Sequence, residues 1–313
     1  MITQLQKWIE EAKIITIFRH ENPDLDAVGS QLGLKAWLQE NYPDKKVFAC
    51  GEERYKTFDI DYANDSDIEQ SLAIILDTPT KERVDDDRFV LAHRKIKIDH
   101  HPQVEKIADL EFVDTAKAAT CQYVPQLLEQ LKPSGLSKKS ATYFYQGILT
   151  DTLSFKTNNT TSETFEVAAL LTRTGIDISQ ISREVLDKPM DVFEFLTFLR
   201  RKLEVFNGQI GYAILTVEDL EPFDMTMGQA RGFVAEFGNI VELQAWALFT
   251  QSEQDKDDFK GSLRSKVIDL TPIASQYQGG GHKNACGVKG LTFEKVHEII
   301  RKMDENCTSS IKK

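Results

Sequence analysis

Short apolar runs alternate with longer amphipathic stretches through the first half of this 313-residue chain. The apolar runs have the length and composition of buried strands, and they cover residues 14–18, 46–50, 72–76 and 95–98. Helical periodicity follows the first run and returns over residues 118–131 and 162–174. Because continuous apolar strands separated by helices are typical of parallel sheets covered on both faces, we predict an α/β domain built on a parallel sheet.

The second half of the chain has a different pattern, in which strands outnumber helices. Strands are predicted at residues 209–217, 241–250 and 259–266, and a short helix at 272–278 leads into a glycine-rich loop at 279–282. Residues 191–206 are strongly amphipathic, which predicts a helix that joins two domains. The predicted organisation is therefore a parallel-sheet domain with flanking helices over 1–188, a linker helix over 189–207, and a smaller mixed-sheet α/β domain over 208–313.

Polar side chains follow three of the predicted strands at the point where each strand ends. His20, Asp24 and Asp26 follow the first strand, Asp77 follows the third, and residues 99–101 read Asp-His-His after the fourth. Aspartate favours turns and helix N-caps for local reasons, so the first group alone fits a capping role as well as a ligand role. Three such strand exits together favour a binding site, because ligands bind at the carboxyl ends of strands in open α/β sheets.

Carboxylates and imidazoles in this half of the chain form a candidate set of metal ligands: His20, Asp24, Asp26, Asp77, His100, His101 and Asp151. Their oxygen and nitrogen atoms suit Mn²⁺ or Mg²⁺. A two-metal site needs roughly three or four protein ligands for each ion and one carboxylate that bridges both, and this set is large enough. Periodicity leaves open whether Asp151 follows a helix or a strand.

The formal net charge of −11 argues against one class of partner. Proteins that bind long nucleic acids usually present a basic surface, because neutralising phosphates drives that binding. A phosphate-bearing substrate is still compatible with this composition if metal ions and a few basic side chains meet its charge locally, which favours a small ligand. Acidity that merely keeps the protein soluble explains the charge equally well.

Composition also indicates a compartment. The first residues, MITQLQKWIEEAK, have no basic or apolar region of a signal peptide, and no apolar run approaches the roughly 20 residues that a membrane helix needs. The four cysteines form no CxxC pair; they are Cys50, Cys121, Cys286 and Cys307. Scattered thiols of this kind fit a reducing cytoplasm better than a disulfide framework or a zinc site, so we expect a cytoplasmic protein without a membrane partner.

Taken together, these motifs resemble a known family. The segment HENPDLDAVGS at residues 20–30, Asp77 after a buried strand, Asp-His-His at 99–101 and Thr-Asp-Thr at 150–152 resemble the four motifs of the DHH phosphoesterase superfamily. Ser-Leu-Arg-Ser at 262–265 and Gly-Gly-Gly-His at 279–282 resemble its DHH-associated C-terminal domain. The resemblance covers nearly the whole chain, and the length and the GGGH ending are similar to those of the NrnA branch.

The resemblance implies a metal-binding role for six of the matching residues. One Mn²⁺ would be held by His20, Asp24 and Asp77. The other would be held by Asp26, Asp77, His100 and Asp151, so that Asp77 bridges the two ions. Mg²⁺ or Co²⁺ are the alternative metals.

The resemblance also implies groups that contact the substrate. His101 would face the scissile phosphate as an electrostatic partner or proton donor, and Asp99 would orient a neighbouring imidazole. The other phosphate of the nucleotide would be held by Arg264, Gly280, Gly281 and His282. Glycine lets backbone N–H groups approach an anion closely. Leu153 is among the departures from the family pattern, since it stands where the family often has glycine.

The activity implied is hydrolysis of short oligoribonucleotides, including pApA, to 5′-mononucleotides, and of 3′-phosphoadenosine 5′-phosphate (pAp) to AMP. In that chemistry two Mn²⁺ activate a water for direct attack on phosphorus. The expected partners are a short RNA or a nucleotide, and a homodimer is left open. Two alternatives remain at this stage. A family II inorganic pyrophosphatase shares the first four motifs but lacks the GGGH segment, and a non-catalytic sensor would bind nucleotide without cleaving it.

Overall fold

The computed structural model describes residues 1–52 and 60–311 of the chain. The chain divides into two compact units, Met1–Asp187 and Lys188–Lys313. Each unit has its own sheet and its own buried core.

The first unit is built on a five-stranded sheet in the order β2-β1-β3-β4-β5. Its strands are β1 Ile14–Phe18, β2 Lys46–Ala49, β3 Leu72–Leu76, β4 Arg94–Asp99 and β5 Leu110–Val113. Every neighbouring pair is parallel. All the carboxyl ends of the strands therefore lie at one edge of the sheet, which is the edge that carries the polar motifs.

Helices cover the faces of this sheet. They are α1 Ile2–Glu11, α2 Leu25–Asn41, α3 Asp65–Glu69, α4 Thr120–Leu131, α5 Lys138–Asp151, α6 Ser162–Thr172 and α7 Ile178–Leu186. The main core lies between one face of the sheet and helices α2, α4 and α5, where Ile17 and Ile74 pack with Trp37 and Phe144. A smaller core on the other face includes Phe18 and Phe89. The parallel α/β architecture predicted for this half is confirmed.

Helices α2 and α5 pack closely because glycines remove side chains from their contact. A Cβ atom at Gly29 would lie 2.5 Å from the carbonyl oxygen of Tyr143, and one at Gly33 would lie 2.7 Å from the Phe144 ring. A Cβ at Gly147 would lie 2.9 Å from the carbonyl oxygen of Leu25, the first residue of α2, and 2.3 Å from the Cys121 sulfur on α4. These close contacts bring the amino end of α2 next to the carboxyl end of α5.

The second unit contains a six-stranded mixed sheet in the order β10-β11-β9-β8-β7-β6. Its strands are β6 Glu204–Phe206, β7 Ile210–Leu215, β8 Ala245–Gln251, β9 Phe259–Ser265, β10 Gly280–His282 and β11 Ala285–Leu291. Only the β7–β8 pair is parallel among these strands. Its helices are α8 Met190–Arg201, α9 Val217–Leu220, α10 Met227–Gly232, α11 Thr271–Ala274 and α12 Phe293–Ile311. The mixed-sheet α/β prediction is confirmed.

The two faces of this second sheet are covered differently. On one face, Phe249 and Leu263 pack with residues of α12 such as Ile299. On the other face, Trp246 and Leu248 pack under α8 and α10. Helices α8 and α10 therefore lie over β7 and β8.

Two local predictions for the second unit were wrong. The predicted helix over 191–206 ends at Arg201, and residues 204–206 form β6, which pairs with β7 across a turn where Asn207 and Gly208 have φ of 48° and 74°. Helix α8 packs against the second unit through Leu199 and its neighbours. The glycine-rich stretch predicted as a loop is largely strand β10. Within the described part of the chain, each helix is too short or too polar to span a bilayer.

Candidate metal centre

The polar groups at the strand exits of the first unit converge on one place. His20 comes from the exit of β1, Asp77 from the exit of β3, and His100 from the exit of β4. Asp151, which the sequence left unassigned, is the last residue of helix α5. All seven predicted ligand residues fall into three groups whose ligand atoms lie within 4.8 Å of one another: His20, Asp24 and Asp77; Asp26, His100 and Asp151; and Asp77, His100 and His101.

The first group is arranged around His20. Its Nε2 atom lies 3.5 Å from Asp77 Oδ2 and 3.8 Å from Asp24 Oδ1. Its Nδ1 atom lies 2.7 Å from the carbonyl oxygen of Glu21. A carbonyl can only accept, so Nδ1 carries the proton of the neutral ring and Nε2 is left as the nitrogen that can bind a metal.

The second group is arranged around His100. Its Nε2 atom lies 3.4 Å from Asp151 Oδ2, 3.5 Å from Asp77 Oδ1 and 3.8 Å from Asp26 Oδ2. Its Nδ1 atom lies 3.3 Å from the carbonyl oxygen of Lys117. Asp77 therefore offers one carboxylate oxygen to each group, which is the position that a bridging ligand needs.

Backbone conformation places these carboxylates. Asp77 follows β3 directly with φ of 55°, in the left-handed region that aspartate tolerates better than most residues. Asp24 is the N-cap of α2, and its Oδ1 accepts hydrogen bonds of 3.0 Å from the backbone N–H groups of Asp26 and Ala27. The same Oδ1 lies 3.8 Å from His20 Nε2, and a carboxylate oxygen has more than one lone pair, so the capping role and the ligand role are compatible in one residue.

Asp26 is fully buried and is held by the amino end of helix α4. The backbone N–H of Thr120 donates to Asp26 Oδ2 and that of Cys121 donates to Oδ1, both at 2.7 Å. The Thr120 hydroxyl donates to Asp77 Oδ1 at 3.0 Å. The first turn of α4 thus fixes two of the carboxylates, a function for Thr120 that the sequence analysis missed because no motif marks it.

The electrostatics of the cluster fit a divalent cation. Burial, with repulsion from Asp77 and Asp151, raises the pKa of Asp26 well above its ordinary value. Burial and repulsion from Asp77 raise the pKa of Asp151 to about 8. For His20, burial opposes the charged form, but the adjacent Asp24 and Asp77 outweigh it and raise the pKa to about 10. Concentrated negative charge on oxygen donors with imidazole nitrogens is the donor set of a Mn²⁺- or Mg²⁺-type site.

His101 lies within the cluster, with its Nδ1 atom 3.4 Å from Asp77 Oδ1, and it also pairs with Asp99. His101 Nδ1 lies 2.9 Å from Asp99 Oδ1, and the backbone N–H of His101 donates to the same oxygen at 3.0 Å. Burial disfavours the His101 imidazolium, but Asp99 and Asp77 outweigh it and raise its pKa. Burial likewise disfavours the Asp99 carboxylate, and His101 outweighs that effect and lowers its pKa.

The four predicted substrate-binding residues all lie in the second unit. His282 on β10 pairs with Ala285 on β11, which pairs with Arg264 on β9, so Arg264 and His282 share one face of the sheet. Gly281 has φ of 138°, and a Cβ there would lie 2.4 Å from the Ala285 carbonyl oxygen, so the strand requires glycine at that position. Gly280 pairs with Gly287.

A cleft of about 320 Å³ on the second unit contains cations that the sequence analysis missed. Arg231, Lys260 and Lys289 line it together with Gly280 and other small residues. Lys260 lies four residues before Arg264 on β9 and therefore on the same face of the strand, so strand periodicity could have found it. Arg231 lies on α10, and nothing in its local sequence marks it.

Comparison with known protein families identifies the family to which the chain belongs. Residues 14–148 match the model of the DHH family N-terminal domain, and residues 207–309 match the DHHA1 domain. The first match contains β1, β3 and β4, whose exits carry most of the cluster, and the second contains the mixed sheet. The chain belongs to the DHH family of phosphoesterases, whose members are metal-dependent hydrolases.

Relatives resemble the chain over nearly its whole length. A Streptococcus mutans protein named probable bifunctional oligoribonuclease and PAP phosphatase NrnA is 32% identical, over 92% of this chain and 93% of that protein. The Bacillus subtilis bifunctional oligoribonuclease and PAP phosphatase NrnA is 30% identical, over 98% of this chain and 99% of that protein. The crystal structure of an exopolyphosphatase-related protein from Bacteroides fragilis superposes with a TM-score of 0.85 at 26% identity, covering 100% of this chain and 97% of that one.

Proposed function

We propose that this protein is a metal-dependent phosphodiesterase and phosphatase that hydrolyses short oligoribonucleotides, including pApA, to 5′-mononucleotides, and pAp to AMP. The observation that carries the proposal is the convergence of His20, Asp77, His100 and Asp151 within ligand distance of one another at one edge of a parallel sheet. Membership of the DHH family supports the reaction class, and the names of the relatives from Streptococcus mutans and Bacillus subtilis support the substrates.

The proposed metal ligands follow the two groups. His20, Asp24 and Asp77 would hold one ion, and Asp26, Asp77, His100 and Asp151 would hold the other. Mn²⁺ is the proposed metal, with Mg²⁺ or Co²⁺ as alternatives, because carboxylates dominate the donor set. When bound, the ions supply positive charge that lowers the pKa of a coordinated water and stabilises the negative charge that develops on phosphorus oxygens.

The surrounding residues orient the reacting groups. The carbonyls of Glu21 and Lys117 hold the two imidazoles so that each Nε2 faces the carboxylates. His101, held through Nδ1 by Asp99, would donate a hydrogen bond or a proton from Nε2 to the substrate phosphate. This assignment gives His101 a catalytic role and Asp99 a positioning role.

We further propose that the first unit, predicted as residues 1–188, is the catalytic domain and that the unit after it binds the rest of the substrate. Arg264, His282 and the backbone of Gly280 and Gly281 would hold a second phosphate. The cations around the cleft, Arg231, Lys260 and Lys289, would contribute further positive charge on the same unit. A few local cations in a chain of net charge −11 suit a short substrate better than a long polymer.

Initial rates with Mn²⁺ on pApA, pAp, a short RNA and pyrophosphate, measured side by side, test the proposal. We expect mononucleotide release from pApA and short RNA, phosphate release from pAp, and little turnover of pyrophosphate. Rapid turnover of pyrophosphate alone would identify a pyrophosphatase. Binding of nucleotide with Mn²⁺ present but without product would identify a sensor.

Replacement of Asp77 tests the metal centre directly. Asp77→Asn is preferable to Asp77→Ala because asparagine also tolerates the left-handed backbone at this position. We expect turnover of pApA to fall at least about 1,000-fold, because the residue shared by both groups loses its negative charge and one of its two oxygens becomes an amide nitrogen that cannot bind a cation, while the circular dichroism spectrum is unchanged. Exposed Asp44→Asn serves as the matched control and should keep full activity. Activity near that of the wild type in Asp77→Asn would refute the assignment.

A further inference from the structure

A lysine is completely buried beside the candidate centre. Lys97 lies in the middle of β4 with 0% of its surface exposed, between two isoleucines that face the opposite side of the sheet. Lysine is among the residues least often found fully buried, because its ammonium group loses its hydration there. An apolar residue would fill this position in a parallel strand at a lower cost in desolvation free energy. The buried ammonium group therefore indicates a specific role.

The Lys97 ammonium joins the exits of two strands. Its Nζ atom lies 3.2 Å from Asp99 Oδ2 and donates a hydrogen bond of 3.2 Å to the carbonyl oxygen of Pro79. Pro79 belongs to the loop that follows Asp77, and Asp99 ends β4. Lys97 therefore connects the segment that carries Asp77 to the segment that carries His100 and His101.

The same carboxylate of Asp99 faces His101 with its other oxygen. Asp99 is also fully buried, and its Oδ1 atom lies 2.9 Å from His101 Nδ1. Lys97, Asp99 and His101 thus form a continuous chain in which each contact uses a different atom of the carboxylate. Without the ammonium, only the two contacts of Oδ1, with the backbone N–H and the ring of His101, would hold the carboxylate, so its orientation opposite the ring would be less restricted.

We propose that Lys97 is a positioning residue that holds Asp99 in the orientation that presents His101 to the substrate phosphate, a role that rests on the proposed hydrolytic function. With Nδ1–H of His101 directed at Asp99, Nε2 is the nitrogen that meets the substrate, and it donates to the phosphate when the ring is protonated. Neither Lys97 nor its contacts belong to the proposed ligand set, so the role acts on His101 and leaves the metal ligands in place.

Kinetics of Lys97→Met test the proposal. Methionine keeps the length of the side chain and removes the ammonium, and we expect kcat on pApA to fall by about 10- to 100-fold while KM changes less than about twofold. Lys95→Met is the matched control, since Lys95 lies two residues earlier on the same face of β4 and donates to the Ala92 carbonyl at 2.6 Å. Lys95→Met should retain the kcat of the wild type. A kcat for Lys97→Met within about twofold of the wild type would overturn the proposal.

A double-mutant cycle tests whether Lys97 acts through Asp99. Asp99→Asn should lower kcat by itself, and adding Lys97→Met should lower it less than about twofold further, because the carboxylate through which Lys97 acts is already gone. If Lys97→Met lowered kcat by the same factor in the wild type and in Asp99→Asn, the proposal would be overturned. If Lys97→Met does not fold, Lys97→Gln, whose amide can still donate to the Pro79 carbonyl, takes its place in the cycle.

Nitrogen NMR of the metal-free protein gives a readout that does not depend on activity. At a pH high enough for the ring to be neutral, the His101 signals, assigned by their loss in His101→Gln, should report a single Nδ1–H tautomer in the wild type and in Lys95→Met. Lys97→Met should show a mixture of tautomers. An unchanged His101 spectrum in folded Lys97→Met would overturn the positioning role, whereas a wild-type protein that hydrolyses none of the substrates but shows the expected tautomer change would refute only the proposed function.

Discussion

Asp26 shows how one side chain in this protein serves both folding and binding. Its two carboxylate oxygens accept hydrogen bonds from the backbone N–H groups of Thr120 and Cys121 at the amino end of α4. The positive end of the helix dipole also stabilises a negative charge at this place. One of the same oxygens lies 3.8 Å from His100 Nε2. Carboxylate oxygens have more than one lone pair, so a capping bond leaves room for a metal. The same reasoning applies to Asp24 at the start of α2.

Among the described residues, no backbone N–H donates a hydrogen bond to the Asp151 carboxylate, which distinguishes Asp151 from Asp26. Substitution of Asp151 should therefore change the stability of the protein. Its folded-state pKa of about 8 lies above the ordinary 3.8, so between these two values the metal-free fold is less stable as the pH rises. Asp151→Asn removes that charge and should stabilise the metal-free protein by about 1 to 3 kcal/mol at pH 8. Urea unfolding in EDTA measures the change, and the gain should vanish near pH 4. A less stable Asp151→Asn at pH 8 would contradict this prediction.

The backbone conformation at Leu153 shows what its departure from the family pattern means. The position that is often glycine in the family has φ of 46° here, in the left-handed region that glycine adopts readily and leucine adopts only at a cost. Ser154 and Phe155 continue the left-handed conformation with φ of 61° and 64°. The sequence showed that Leu153 departs from the family pattern, but a sequence motif contains no backbone angles. Only the structure shows that this position has a left-handed backbone, which is why glycine suits it.

At the scale of elements, close packing of helices determines where Asp151 lies. Gly147 is one helical turn before Asp151 on α5, and an added Cβ would meet Cys121 Sγ at 2.3 Å and the Leu25 carbonyl oxygen at 2.9 Å. The backbone N–H of Cys121 holds Asp26 Oδ1, and Leu25 directly precedes Asp26 in the chain. The separation of α5 from α2 and α4 therefore sets the distance between the carboxylates of the second group.

Substitution of Gly147 should disturb stability and metal binding together. Gly147→Ala should destabilise the protein by about 1 to 3 kcal/mol, because the clash outweighs the helix propensity of alanine. It should also weaken Mn²⁺ binding, since α5 must shift with Asp151. Gly232→Ala is the control: Gly232 ends α10, has no described atom within 4 Å of an added Cβ, and should be neutral. Urea unfolding and calorimetric Mn²⁺ titration measure both effects, and tight Mn²⁺ binding by Gly147→Ala would contradict the packing argument.

Prediction from sequence succeeded where a segment is defined by its own residues. The strands Ile14–Phe18 and Leu72–Leu76 are continuous apolar runs, and their bounds were predicted correctly. Prediction was wrong for β6 and β10, because a three-residue strand such as Gly280–His282 is defined by pairing with β11 and has no apolar pattern of its own. Periodicity could not place Asp151 either, since both patterns fit the residues before it.

For the candidate centre, sequence identified the ligand residues but not what holds them. His20, Asp77 and His100 stand at strand exits, and parallel topology alone requires those exits to meet. Thr120 and Lys97 act through contacts between distant segments, so nothing near them in the sequence marks their function. Supporting groups are recognised only after the strand order and helix packing are known.

At the scale of the whole molecule, the charge of the cluster couples metal binding to pH. Without a cation, the folded protein holds protons on His20, whose pKa is raised from 6.5 to about 10, and on Asp151, whose pKa is raised to about 8. Both folded-state values are raised, so the stability that these protons give is complete below the unfolded pKa and is lost as the pH rises through the folded one. The metal-free protein should therefore lose stability through Asp151 as the pH rises from 3.8 to about 8, and through His20 as it rises from 6.5 to about 10.

Metal binding requires those protons to leave, because a ligand nitrogen or carboxylate must be deprotonated. We expect Mn²⁺ binding at pH 7 to release about one to two protons, and the affinity to rise by about tenfold per pH unit for each proton released. Calorimetric titrations in two buffers of different ionisation enthalpy count the protons directly. Asp151→Asn serves as the matched comparison and should release fewer protons, with weaker binding. A binding enthalpy that does not depend on the buffer would mean that His20 and Asp151 are already deprotonated in the metal-free protein, which would contradict the electrostatic description of the cluster.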